Sequence, residues 1–91
     1  METKYTYWQN VDMPFFILRQ LSFTGFECFN RRTGQWKDYP EGFREVSLNF
    51  ECREIPEEEA LRIVRVLEST DTNGMNSREL RALVQKPKPG R

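Results

Sequence analysis

Residues Phe43–Leu67, FREVSLNFECREIPEEEALRIVRVL, hold the two clearest periodic signals in the chain and join them through a short hinge. Val46, Leu48, Phe50 and Cys52 are apolar at every second position, with Glu45, Ser47, Asn49, Glu51 and Arg53 between them. That alternation predicts a strand buried on one face. After Ile55 the period changes, and Ala60, Ile63, Val64 and Leu67 recur at helical spacing among charged residues. Pro56 suits a helix start, where its missing N–H has no intrahelical partner to lose. Glu57, Glu58 and Glu59 then lie where the partial positive charge of a helix N-terminus is felt. The expectation is a strand that feeds directly into a helix folded back over the strand's apolar face.

Upstream, Lys4–Val11 (KYTYWQNV) reads as a first strand, with Tyr5 and Tyr7 on one face and Trp8 on the other. Asp12-Met13-Pro14 interrupts it, and the apolar run Phe15–Leu18 predicts a second strand that is either covered on both sides or near the middle of the sheet. Phe26–Phe29 and Gln35–Tyr39 form a predicted hairpin around Asn30-Arg31-Arg32-Thr33-Gly34, with Gly34 in the left-handed conformation that closes the loop. Tyr39-Pro40-Glu41-Gly42 reads as the next turn. Downstream, Asn76 and Glu79 have capping-box spacing and predict a short second helix from Ser77 to about Gln85. The closing KPKPGR, residues 86–91, predicts a mobile extended tail. The expected architecture is therefore an α+β domain over residues 4–85. It is an antiparallel meander of four to five strands, with one helix across a face and a shorter helix at the edge.

Composition narrows the functional classes. Fourteen basic and fourteen acidic residues cancel, so no global field recommends the chain to nucleic acid or to an acidic membrane. The charge is nevertheless segregated, since the stretch from Asp38 to Glu59 is strongly acidic and the sequence beyond Ser77 is mostly basic. No apolar run approaches bilayer-spanning length, and a cytoplasmic location with no membrane association is expected. Cys28 and Cys52, the two cysteines, both fall at inward strand positions. A reduced compartment favours free core thiols over a disulfide between them.

No cofactor, metal site or catalytic machinery is expected. Two cysteines without a single histidine cannot complete the nitrogen and sulfur shell that zinc prefers. The Asp71-Thr72-Asn73-Gly74 passage resembles a calcium loop until it is aligned on Gly74. The terminal ligand positions then fall on Ser69 and Leu80, where carboxylates are required. Glu57, Glu58 and Glu59 point around a helix rather than converging. The commonest general base is missing, and no phosphate loop or nucleophile elbow is present.

One constellation remains. Arg31, Arg32 and Lys37 surround Trp36 and Tyr39 in the hairpin, and Trp8 and Arg19 can lie near them. Trp, Tyr and Arg anchor protein interfaces, while rings interleaved with cations also suit single-stranded nucleic acid. The same rings can equally be needed for the core of so small a domain. A small non-enzymatic protein-interaction module is the primary expectation, using an aromatic and arginine sheet face or an edge strand. A single-stranded nucleic-acid-binding module is the alternative.

The order of several features resembles that of small uncharacterised bacterial proteins over about residues 5 to 68. These are Tyr5-Thr6-Tyr7-Trp8, the Met13-Pro14-Phe15 step, Glu27, the Thr33-Gly34-x-Trp36 hairpin and Ile55-Pro56-Glu57-Glu58-Glu59-Ala60. The resemblance implies an intact domain and brings no activity with it; the segment after Thr70 departs from the pattern.

Overall fold

The computed structural model describes residues 4–85. Five strands, β1 (Thr6–Asn10), β2 (Ile17–Gln20), β3 (Phe26–Asn30), β4 (Gln35–Asp38) and β5 (Cys52–Ile55), form one antiparallel sheet in the order β4-β3-β2-β1-β5. Two helices follow, α1 (Glu57–Ser69) and α2 (Ser77–Val84). The domain is α+β, as its sequence pattern predicts. The tail expected over residues 86–91 lies outside the described residues.

β1 to β4 are a true meander. The β1–β2 turn is fixed by Asn10, whose Oδ1 accepts the backbone N–H groups of Asp12 and Met13 at 2.9 and 2.7 Å. At the β3–β4 turn Asn30 plays the same part, accepting from Arg32, and Gly34 takes φ +73° while its N–H reaches the Asn30 carbonyl at 2.8 Å. β2 lies at the centre of the sheet, and its apolar pair Ile17 and Leu18 is fully buried on opposite faces.

The register divides the side chains into two faces. On one, Tyr7, Ile17, Phe29 and Ile55 meet Ala60, Ile63, Val64 and Leu67 of α1, together with Leu80 and Val84 of α2. The helix–sheet packing read from Ala60 to Leu67 is thus present, and the thin apolar stripe of α2 completes the same core. α1 begins at Pro56, whose carbonyl accepts from Ala60 at 3.0 Å, and its first turn carries Glu57, Glu58 and Glu59. α2 starts with the predicted capping box, in which Asn76 Oδ1 accepts from the Glu79 N–H at 2.8 Å and Glu79 Oε1 accepts from the Asn76 N–H at 3.0 Å. Arg62 ties the helices together by donating to the Val84 carbonyl at 2.8 Å.

The second face departs from the sequence pattern. The alternation from Glu45 to Arg53 predicts one continuous strand, but only Cys52–Ile55 is extended. Residues Arg44–Leu48 instead form a π-helix, closed by the Asn49 N–H on the Arg44 carbonyl at 2.8 Å. The reason is the length of the neighbouring strand. β1 ends at Asn10, which pairs with Cys52, and the last rung is the Val11 N–H on the Glu51 carbonyl at 2.8 Å. Before Glu51 there is no edge to pair with. Meanwhile β4 ends at the opposite side of the sheet, so the chain must cross Leu18 and Phe26 to reach β1. It does so as an excursion over residues 39–51 that buries Val46 beside Leu18, Phe26 and Cys52. β5 therefore joins the far edge of the meander rather than extending it past β4.

Candidate interaction surfaces

The hairpin constellation is divided between the two faces. Trp36 pairs with Phe29 and lies on the helix-bearing face, whereas Lys37 pairs with Cys28 and points to the excursion side. Trp8 and Tyr39 also lie on the excursion side, where the Trp8 indole N–H donates to Gln20 Oε1 at 3.0 Å. Arg31 and Arg32, at the turn, border a shallow depression of about 300 Å³ next to Phe16 and Cys28. Arg31 Nε is buried there without a hydrogen-bond partner. The six candidates Trp8, Arg31, Arg32, Trp36, Lys37 and Tyr39 thus do not form one surface.

Trp36 belongs instead to a closed aromatic stack. Its ring lies 5.5 Å from that of Phe29 and 6.2 Å from that of Tyr7. The Arg19 guanidinium is sandwiched between Tyr5 and Trp36, 4.3 Å from each ring centroid. Glu27, opposite Arg19 on β3, accepts from Arg19 Nε at 2.6 Å and fixes the cation in the slot. An arginine held this way satisfies the rings' negative faces internally, and Trp36 has little left to offer a stacking base.

Among the described residues, the most exposed large apolar side chains lie on the excursion, which sequence alternation misread as a strand, and on the β2–β3 turn beside it. Phe23, in the β2–β3 turn, is 74% exposed, and its ring meets Phe43 edge-on at 5.2 Å. Leu48 is 61% exposed on the π-helix, and it lines a groove of about 460 Å³ with Pro40, Glu41, Phe43 and Arg44. Two residues on, Phe50 is 77% exposed and holds φ +54°, a left-handed conformation unusual for a bulky side chain. A signal for this helix does exist in the sequence. Pro40-Glu41 opens it as Pro56-Glu57 opens α1, and Phe43 and Val46 have the i, i+3 spacing of a helical face.

The excursion is anchored beneath by polar contacts. Tyr39 donates its hydroxyl to Glu45 Oε2 at 2.5 Å, while Glu45 Oε1 is buried with no hydrogen-bond partner. Burial, with help from the Glu45 hydrogen bond, pushes the Tyr39 hydroxyl well above its ordinary range. Burial also pushes the Cys52 thiol up to about 11 and raises that of Cys28, which disfavours the nucleophilic thiolate at neutral pH. Both cysteines are free. They sit three strand spacings apart in the sheet, about 14 Å, beyond the reach of a disulfide.

Among the described residues, no three His, Cys, Asp or Glu side chains gather as a metal site, and no helix is long and apolar enough to cross a membrane. Asp71 serves its own turn, accepting from the Asn73 N–H at 3.1 Å. No protein-family model, curated protein or solved structure matches this chain.

Proposed function

We propose that this domain is a non-enzymatic protein-interaction module that docks its partner on the outer side of the excursion. Phe23, Phe43 and Leu48 form the contact, and Phe50 extends it. The observation that carries this reading is the exposure of three large apolar side chains on one excursion and its adjoining turn. Small monomers seldom leave such surface in water without a use. The backbone beneath it is unusual in two ways, a π-helix and a left-handed Phe50, and both features recur at functional positions. Between Tyr39 and Glu51 the acidic residues Glu41, Glu45 and Glu51 outnumber the single Arg44. The partner that fits is a protein segment with apolar anchors and basic flanks.

The test compares partner retention by the wild-type domain with that of a Phe23→Ser/Leu48→Ser variant and of Trp36→Ala. All three exposed or half-exposed sites can change with the fold verified by circular dichroism. Retention that is lost in the double variant and kept in Trp36→Ala supports the proposal, and a partner indifferent to the double variant overturns it. The nucleic-acid alternative is tested on the same proteins with a single-stranded oligonucleotide. Binding weaker than about 10 μM is expected at physiological ionic strength, because the cations are not aligned with stacking rings. Tighter, salt-sensitive binding that Arg32→Glu abolishes would put nucleic acid first.

A further inference from the structure

A second feature stands apart from the excursion, on the helix-bearing side where β1, β5 and α2 converge. A cleft of about 370 Å³ opens there, with Arg53, Arg81, Gln9 and Glu59 on its polar side and Pro14 and Val84 among its apolar lining. Its two arginines are held by neutral oxygens. Gln9 Oε1 accepts from both Nε and Nη2 of Arg53, at 3.1 and 2.9 Å, and the Asp12 carbonyl accepts from Arg81 Nη2 at 2.9 Å. Gln9 is itself 5% exposed and locked by donating to the Pro14 carbonyl at 2.9 Å. Its orientation is therefore fixed by the fold.

Among the described residues the ion pairs are Arg19–Glu27 and Arg62–Glu59, so neither Arg53 nor Arg81 has a carboxylate within ion-pair distance. The only acid lining the cleft, Glu59, is matched by the Arg62 fork, with Nε on Oε1 at 3.1 Å and Nη2 on Oε2 at 2.8 Å. The cleft thus carries two guanidiniums that are positioned without being neutralised. Planar N–H forks of this kind recognise carboxylate and phosphate oxygens with two parallel hydrogen bonds. The volume lies at the small end of ligand-binding cavities and exceeds what a bare ion needs.

We infer that this cleft binds a small organic oxyanion, its carboxylate or phosphate head held between Arg53 and Arg81 and a short apolar body resting on Pro14. The charged head takes the guanidinium N–H groups that Gln9 and the Asp12 carbonyl leave over, and the apolar lining favours an organic molecule over the inorganic ion. This site is independent of the excursion and of any partner bound there.

The test titrates the full chain with phenyl phosphate, benzoate and inorganic phosphate, following the arginine side-chain Nε–H resonances by NMR. Saturable shifts at Arg53 and Arg81 are expected with phenyl phosphate or benzoate, whichever head the site prefers, and weaker ones with inorganic phosphate. Arg53→Gln and Arg81→Gln should each weaken binding by about tenfold, the loss of a charged hydrogen-bonding partner. Arg53→Lys should fall between, because it keeps the charge and loses the fork. Arg65→Gln, an exposed change elsewhere on α1, should leave binding unchanged. No saturable shift with any of the three probes, or an equal loss in Arg65→Gln, overturns the inference.

Discussion

At Gly42 the excursion passes close over Phe26 of the sheet, and replacing it by alanine is expected to lift the excursion. A Cβ at this position would stand 2.6 Å from both Cβ and Cγ of Phe26 and 2.9 Å from Cδ2. Carbon atoms at rest keep about 3.5–4 Å between them, so something must move by roughly 1 Å. Phe26 cannot, because its ring is fully buried between the sheet and the excursion. Overpacking of this kind costs about 1–3 kcal/mol, offset by up to ~1 kcal/mol because alanine is the better helix former at the start of the helical turn. The net loss, centred on roughly 1–2 kcal/mol within that range, is a large part of a stability of ~5–14 kcal/mol for a chain of this size. It should lower the melting temperature by roughly 4–16 °C. Urea denaturation followed by circular dichroism and tryptophan fluorescence measures it. Gly25→Ala is the control. Its Cβ would meet Ser22 Oγ at 2.6 Å, the tip of a rotatable side chain that moves aside at the loss of one exposed hydrogen bond from the Gly25 N–H, so the cost should stay at about 0.5–1 kcal/mol with no coupling to Phe26. Trimming the obstacle in Gly42→Ala/Phe26→Leu should restore part of the loss. A Gly42→Ala protein as stable as wild type, or strict additivity in the double variant, would refute the placement of the excursion against Phe26.

Val64→Asp should unfold the domain by burying an unpaired charge under α1, whereas Phe50→Asn should leave it folded and slightly more stable, since asparagine tolerates the left-handed φ of +54°; thermal melts of both variants decide it. Burial raises the Cys52 thiol from its ordinary 9.0 to about 11 in the folded protein, so the stability it confers is complete below pH 9 and should be lost as pH rises to 11. That loss is about 2–3 kcal/mol, and Cys52→Ala should flatten the alkaline limb of a stability–pH profile. At pH 8 both thiols should react with iodoacetamide far more slowly in the native protein than in denaturant. Finally, a double-mutant cycle between Arg19→Met and Trp36→Leu should give a coupling of about 0.5–2 kcal/mol for a partly desolvated cation–π contact, and zero coupling would dissolve the sandwich.

Local signals carried much of this architecture. Pro56 and three glutamates start α1, Asn76 and Glu79 cap α2, and Asn30 with Gly34 closes the hairpin. Each works through a contact within a few residues of itself, so a sequence displays it whole. The apolar helical stripe of Ala60, Ile63, Val64 and Leu67 is legible for the same reason, because helix periodicity is a property of the segment alone. A strand is different. The alternation from Val46 to Cys52 states only that a strand is affordable there, and a strand forms where a neighbour supplies hydrogen bonds. That neighbour, β1, stops at Asn10, which sequence alone does not reveal. Tertiary structure therefore decided that residues 44–48 coil into a π-helix, that Leu48 and Phe50 face water, and that β5 closes on β1. It likewise decided the surfaces. Trp36 and Trp8 lie 28 residues apart in the chain, and only the register of the sheet sends one to the helices and the other beneath the excursion. Arg53 and Arg81 come from β5 and α2, and nothing in their spacing indicates a shared cleft. Their meeting depends on the docking of α2, a matter of long-range packing that no local pattern records.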